Sequence, residues 1–481
     1  MRNAMQTLVL AVLVAVAANS GAQSEPAEKR PFSIDDALAI RDVSSPRVSP
    51  DGASVVYVVS ALDLEDDVGY SNLYEVPFEG GEARALTVGK KSHSHPRFSP
   101  DGRWLAFLSN RGGEQTQIWM LDRRGGEPKV LSSVDGGVSD FEWSPDGKAI
   151  VFVSRDPKPD EDEESETETE TETKPPLVIT RLQFKRDGRG YLDERRTHLY
   201  VLDVDSGKHR QITNGPYDDS QPAWSPDGRE IAFVSNRTED PDANDNTDIF
   251  LVPAGGGEAR RLTDNPGTDR SPAWSPDGTW IAYVANVEPE LIWYATSHLT
   301  IVPADGGEPR VLTTALDRNV RDPSFDSEGN VHFLLEDSAS QHLARVNVNV
   351  NVNVNVNVNV ESSALELDRV IAGERDVRAY HTSQSGATAV LSSEPHLPSE
   401  VFALRDGEVE QLSRTNQEML AAVELGEVEN VHFPSKDGTE IEGFVTKPVG
   451  FDPEKRYPTV LWIHGGPVSQ YSHAFNEVWQ V

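Results

Sequence analysis

A five-residue phrase recurs along the chain and restricts what it can fold into. It reads Trp224-Ser225-Pro226-Asp227-Gly228, and it stands again at Trp274–Gly278, Trp143–Gly147, Phe98–Gly102 and Val48–Gly52. Phe325-Asp326-Ser327-Glu328-Gly329 and Ser383-Gln384-Ser385-Gly386 are worn copies. The glycines at 52, 102, 147, 228, 278, 329 and 386 mostly step by 45 to 57 residues, a period that belongs to solenoids, arrays and propellers. Pro presets φ for the second position of a type I turn, Asp suits the third, and Gly takes the left-handed conformation that closes a hairpin. Apolar runs follow, such as Leu105–Leu108, Ile231–Val234 and Ile281–Val284. The aromatic residue before Ser is therefore expected to face such a run across one hairpin.

A second phrase alternates with the first. Leu73 to Thr87, Ile118 to Ser132, Leu199 to Thr213, Ile249 to Thr263 and Leu299 to Thr313 repeat it, and Val401 to Ser413 is a shorter copy around Asp406-Gly407. Two hairpins per period make four antiparallel strands, the content of one propeller blade. The count predicts an all-β, seven-bladed β-propeller over residues 46–415, with a damaged second hairpin in the sixth blade. An open solenoid or a stack of unrelated hairpins is the alternative, and the even four-strand spacing speaks against it.

Composition narrows the chemistry. With no cysteine among 481 residues, disulfides, thiolate metal sites and a Cys nucleophile are excluded. A formal net charge of −35 argues against a nucleic-acid partner, since phosphates call for a basic face. Residues 1–22 read as a signal peptide: Arg2, an apolar run from Leu8 to Ala18, then Ser20-Gly21-Ala22. The run is short for a membrane span; an uncleaved anchor is the alternative. Export to the periplasm or medium is expected, with no membrane association after cleavage.

Several local features need a reading. Residues 31–45, within the segment 23–45, suggest a short helix capped by Ser33 with Asp36 three residues on, packed outside the propeller. The long step from Gly147 to Gly228 holds an acidic Glu-Thr tract, residues 156–175, expected to be a solvated insert. The basic stretch Arg181 to Arg195 is expected to pair with acidic surface. Asp240, Asp242, Asn244, Asn246 and Asp248 alternate like a calcium loop. No Gly stands at the sixth position, however, and Leu251 occupies the twelfth, so a plain polar loop is expected. The Val-Asn repeat 346–360 has strand periodicity and exceeds an ordinary blade strand.

After the seventh repeat, beyond a linker at 416–430, the pattern changes. Val431–Ser435 and Ile441–Val445 flank Lys436-Asp437-Gly438 as a hairpin. Tyr457-Pro458 then leads a buried-type strand, Thr459–Ile463, into His464-Gly465-Gly466-Pro467. A short apolar strand running into paired glycines is how an α/β-hydrolase begins its oxyanion loop, where backbone N–H groups must approach an anionic oxygen with no Cβ in the way.

With these stretches the chain resembles the prolyl oligopeptidase family of serine peptidases, nearest the bacterial dipeptidyl-peptidase and acylaminoacyl-peptidase branch. The resemblance rests on the Phe32-to-Pro50 opening, the Ser-Pro-Asp-Gly repeats, Ser435–Gly438, Tyr457-Pro458 and His464–Pro467. It implies a propeller gating a C-terminal α/β-hydrolase domain with a Ser-Asp-His triad, short peptide substrates and no cofactor or metal. It also gives His464, Gly465, Gly466 and Pro467 to the oxyanion loop, with the Gly466 N–H as donor. No Gly-x-Ser-x-Gly elbow occurs in the sequence, Ser469 lacks that setting, and none of the twelve His follows one. Residues 431–481 are thus expected to be the first strands of an incomplete hydrolase domain, with no catalytic residue of the triad in this chain. A non-catalytic, Tol-like periplasmic propeller is the competing reading.

Overall fold

The computed structural model describes residues 29–158, 178–348, 367–466 and 468–481. The signal segment, most of the acidic tract, most of the Val-Asn repeat and Pro467 lie outside them.

Among the described residues the architecture is a succession of four-stranded antiparallel meanders. The first is formed by Asp42–Val48, Ser54–Asp63, Val68–Pro77 and Arg84–Ala85. Four separate sheets with the same order follow. An eight-stranded assembly then contains two further groups of four, joined by a single parallel bridge from Gln341 to Asp376. The first strand of the first group begins at Asp42, a few residues ahead of the expected start of the ring.

Each sheet buries both faces, and this explains the unbroken apolar runs. In Ile231–Val234, Ile231 and Phe233 enter a core shared with the preceding sheet through Val151 and Leu199. Ala232 and Val234 enter the core shared with the following sheet through Ile281 and Tyr283. Side chains alternate across a strand, so a strand packed on both sides must be apolar at every position. The last group packs back on the first: Val43, Tyr57 and Val76 share a core with Ala389, Leu391 and Val401.

The repeated phrases form the hairpins expected of them. Trp224 pairs with Ile231 across the strands. In the turn, Ser225 Oγ donates to Asp227 Oδ1 at 2.7 Å and accepts the Glu230 N–H at 3.0 Å, while Asp227 Oδ1 accepts the Arg229 N–H at 3.0 Å. Gly228 closes it at φ 71°, where a side chain would be strained. The tryptophans also reach the neighbouring sheet. The Nε1 groups of Trp143, Trp224 and Trp274 donate to the carbonyls of Arg97, Glu142 and Ala223 at 3.2, 3.2 and 3.1 Å.

The Thr or Ser that ends the second phrase has its own task. Thr87, Ser132, Thr213, Thr263, Thr313 and Ser413 each accept, through the hydroxyl, the N–H of the residue that opens the phrase. The hydroxyl thereby satisfies a buried backbone donor that the two- to four-residue outer strand leaves over.

The ends of the ring are tied together. The helix Ile34–Ala39 carries the expected capping box of Ser33 and Asp36, though it is much shorter than 31–45. Arg30–Pro31 pairs in parallel with Val423–Glu424, just after the helix Gln417–Ala422. Phe32, Val423 and Phe475 form one buried cluster, with Phe32 and Phe475 edge to face at 6.1 Å.

The expected strand Thr459–Ile463 does not form. That stretch has no ladder partner among the described residues, and Val460, Leu461 and Ile463 are 83%, 82% and 74% exposed. A hydrophobic strand of this type is stable only between neighbouring strands and under covering helices. The hairpin before it, Val428–Pro434 with Glu440–Thr446, does form.

Candidate functional site

Two places carry chemistry: the C-terminal segment that docks on the ring, and the innermost strands around its axis. In every meander the loop from second to third strand and the connection to the next sheet lie on one face, and the Ser-Pro-Asp-Gly turns lie on the other. The C-terminal segment docks on the first of these faces. The His473 N–H donates to Ala339 O at 2.7 Å, and the Phe475 N–H donates to Ser393 Oγ at 3.0 Å. Gln480 Oε1 accepts the Gly426 N–H at 2.7 Å.

A run of aromatic contacts leads from that dock to the glycine loop. Phe444 meets His473 at 5.0 Å and Trp479 at 5.8 Å. Trp479 meets Tyr471 at 4.9 Å, and Tyr471 meets His464 at 5.8 Å. His464 Nδ1 lies 2.9 Å from Gly465 O. Gly466 has φ 143°, and a Cβ there would stand 2.8 Å from the Val468 nitrogen, so only glycine fits. Gly465 has open space. Ser469 is exposed in the same loop, and Pro467 is outside the described residues.

The basic stretch after the acidic tract pairs as expected. Arg181 grips Asp242 through two hydrogen bonds at 2.5 and 2.9 Å, with both side chains largely buried. Arg155 and Arg195 both meet Asp193. This commits Asp242 to an arginine and makes its loop a clamp on the insert. Asp242 is held below the usual carboxylate range by the Arg181 hydrogen bond.

The innermost strands hold what the sequence reading missed. Each carries a bulge, and in five of them it holds a non-glycine residue at φ 51–56° before a proline: Ser45, His95, Gln221, Ser271 and Asp322. Such bulges re-aim side chains. Arg47 and Arg97 of the first and second groups stand just beyond the bulge, and Glu142 and His381 of the third and last groups hold the corresponding place two residues past an earlier shift. Small residues occupy the same place in the others: Ala223, Ala273 and Ser324. In a propeller the first strand of each group lines a central channel, which sets these positions near its Ser-Pro-Asp-Gly mouth.

This ring mixes charges of both signs. Arg47 is driven well down from the ordinary guanidinium range by burial and by Arg97. Burial also lowers Arg97. His381 is pushed well down by burial and then by the two arginines, and its Nδ1 accepts the Val48 N–H at 3.1 Å, so its ring is neutral. Burial raises Glu142 to about 7. One sequence signal marks these residues: Arg47, Arg97 and Glu142 each immediately precede the first residue of a repeated turn phrase, and His381 stands two residues ahead of the worn copy at Ser383.

Comparison with known proteins fits this arrangement. The TolB β-propeller domain model matches residues 39–180 and 191–391. The uncharacterized peptidase YuxL of Bacillus subtilis (strain 168) is 32% identical over 460 residues, 94% of this chain and 69% of that protein. A dipeptidyl-peptidase 5 of Porphyromonas endodontalis is 27% identical over 210 residues, 40% of this chain and 28% of its own length. The uncomplexed acylaminoacyl peptidase of Pyrococcus horikoshii superposes with a TM-score of 0.72 at 20% identity, covering 92% of this chain and 62% of that structure. The chain thus spans 69% of the length of YuxL and 62% of the Pyrococcus horikoshii structure. It belongs to the prolyl oligopeptidase family of peptidases, and its repeats form that family's TolB-type β-propeller.

Proposed function

We propose that this chain is the propeller-bearing part of an exported serine-type peptidase that cleaves short peptides, releasing dipeptides or acyl-amino acids. Membership of a peptidase family carries the reading, together with a C-terminal segment docked on the channel face. Seven blades over 46–415 suit the four-strand groups and the shared core between last and first. The ring would gate access, and residues 431–481 would open the hydrolase domain, with the Gly466 N–H in the oxyanion hole. The catalytic Ser, Asp and His would lie outside these 481 residues. The 1–22 segment supports export.

A purified 481-residue chain should therefore leave aminoacyl and dipeptidyl p-nitroanilides intact, and hydrolysis above the buffer rate would overturn that assignment. Sequence encoded beyond Val481 should contain a Gly-x-Ser-x-Gly elbow. A Tol-like binding propeller without catalysis is favoured by one observation, the TolB match to the ring. A binding propeller has no use for residues 431–481, and an in-frame stop after Val481 would favour it.

A further inference from the structure

The two arginines in the channel have acids within electrostatic reach, Asp140, Glu142 and, for Arg47, Asp322, but none bonded to them. Among the described residues neither Arg47 nor Arg97 makes an ion pair. Each donates one Nη1 hydrogen bond to the carbonyl of its own preceding proline, Pro46 at 3.1 Å and Pro96 at 3.2 Å. Both are half-buried. They stand on adjacent innermost strands that touch, and the charge of Arg97 acts on Arg47.

Asp322 also lies within reach of Arg270, and the other two acids accept backbone hydrogen bonds. Glu142 Oε2 accepts the Trp224 N–H at 3.2 Å, and Asp140 Oδ1 accepts the Phe141 N–H at 2.8 Å. Burial lifts Glu142 to about 7, so near neutral pH it carries only part of a charge. Two like charges held together in a confined channel store repulsion that an entering anion relieves. A guanidinium pair with eight of its ten N–H groups uncommitted matches a carboxylate fork in geometry.

We propose that Arg47 and Arg97 form a carboxylate-binding site at the Ser-Pro-Asp-Gly mouth of the channel, and that it receives the C-terminal carboxylate of a short peptide. A chain end can enter a narrow channel lengthwise and present its terminal carboxylate first. The opposite wall, with Ala223, Ala273 and Ser324, leaves room for the chain behind it. A monoanion is favoured over a phosphate dianion because the protein carries a net −35 and Asp140 and Glu142 lie close by. The ligand class rests on the peptidase reading, whereas the anion site rests on the ring alone.

Calorimetric titration of the full chain separates the two. The probes are acetyl-Ala-Ala as free acid, its C-terminal amide, acetyl-Asp-Ala-amide and inorganic phosphate. The free acid should bind saturably and the amide at least tenfold more weakly, and R47Q and R97Q should each weaken the acid about tenfold. Equal affinity for acid and amide in the unaltered protein overturns the site without recourse to any variant. Preference for acetyl-Asp-Ala-amide overturns the assignment to a chain terminus. Binding of phosphate without the peptide acid, lost in R97Q, keeps an anion site but overturns its peptide ligand. Absence of hydrolysis by this chain bears on none of these outcomes.

Discussion

Tyr380 shows how one side chain can join two sheets. Its hydroxyl lies 2.7 Å from Asp322 O, 2.8 Å from His332 O and 3.0 Å from Ser324 Oγ, all in the preceding group of strands. The side chain is buried, and burial pushes its hydroxyl above the ordinary phenol range, so it stays protonated and donates. Tyr380→Phe keeps the ring and strands carbonyl oxygens that water cannot reach. It should cost about 1–2 kcal/mol, read as a lower denaturant midpoint with unchanged slope; an unaltered midpoint would show that the bridge is not part of the fold's stability. Nothing in the sequence pattern singles out this tyrosine, because its partners are three backbone or hydroxyl oxygens from another repeat.

At the scale of the element, the Ser-Pro-Asp-Gly turn is a local device repeated around one face. Asp51, Asp101, Asp146, Asp227 and Asp277 are all held below the usual carboxylate range, foremost by the hydroxyl of the Ser two residues earlier. Asp437 in the C-terminal hairpin follows the same pattern at about 2. A carboxylate with a folded-state value below its unfolded one, near 4, stabilises the fold while charged. That contribution is present above the unfolded value and is lost as pH falls through the folded one. The melting temperature should therefore drop between about pH 4 and pH 2.5. Asp227→Asn should lower it at pH 7 and flatten the acid limb. An acid limb as steep as that of the unaltered protein would assign the loss to other groups.

In the molecule as a whole, the segment just before the first sheet meets the segments that follow the last one. Phe475 covers Phe32 and Val423, a burial worth about 2 kcal/mol, while the stretch before it leaves Val460, Leu461 and Ile463 in solvent. These act on different observables: the first on stability, the second on association through exposed apolar chain. A protein ending near residue 425 should melt a few degrees lower yet scatter less light and give more soluble material. If the shorter chain is the less soluble one, the exposed stretch is not the source of aggregation.

Periodicity and turn chemistry by themselves determined the four-strand repeat, because each Ser-Pro-Asp-Gly turn closes on its own hydroxyl, carboxylate and N–H within five residues. They also determined the capping box at Ser33, the hairpin at Lys436–Gly438 and the family, since each is carried by contiguous residues. Tertiary structure alone decided what depends on distant chain. The fate of Thr459–Ile463 turned on strands beyond its own hairpin. The extent of the first helix turned on Asp42 joining a sheet. The cross-sheet bonds of the tryptophans turned on how adjacent repeats stack. The meeting of Arg47, Arg97, Glu142 and His381 came from ring closure, which brings residue 381 beside residue 47. The physical reason is range: hydrogen bonds within a turn are written in local sequence, whereas a charge cluster exists only once separate repeats have packed together.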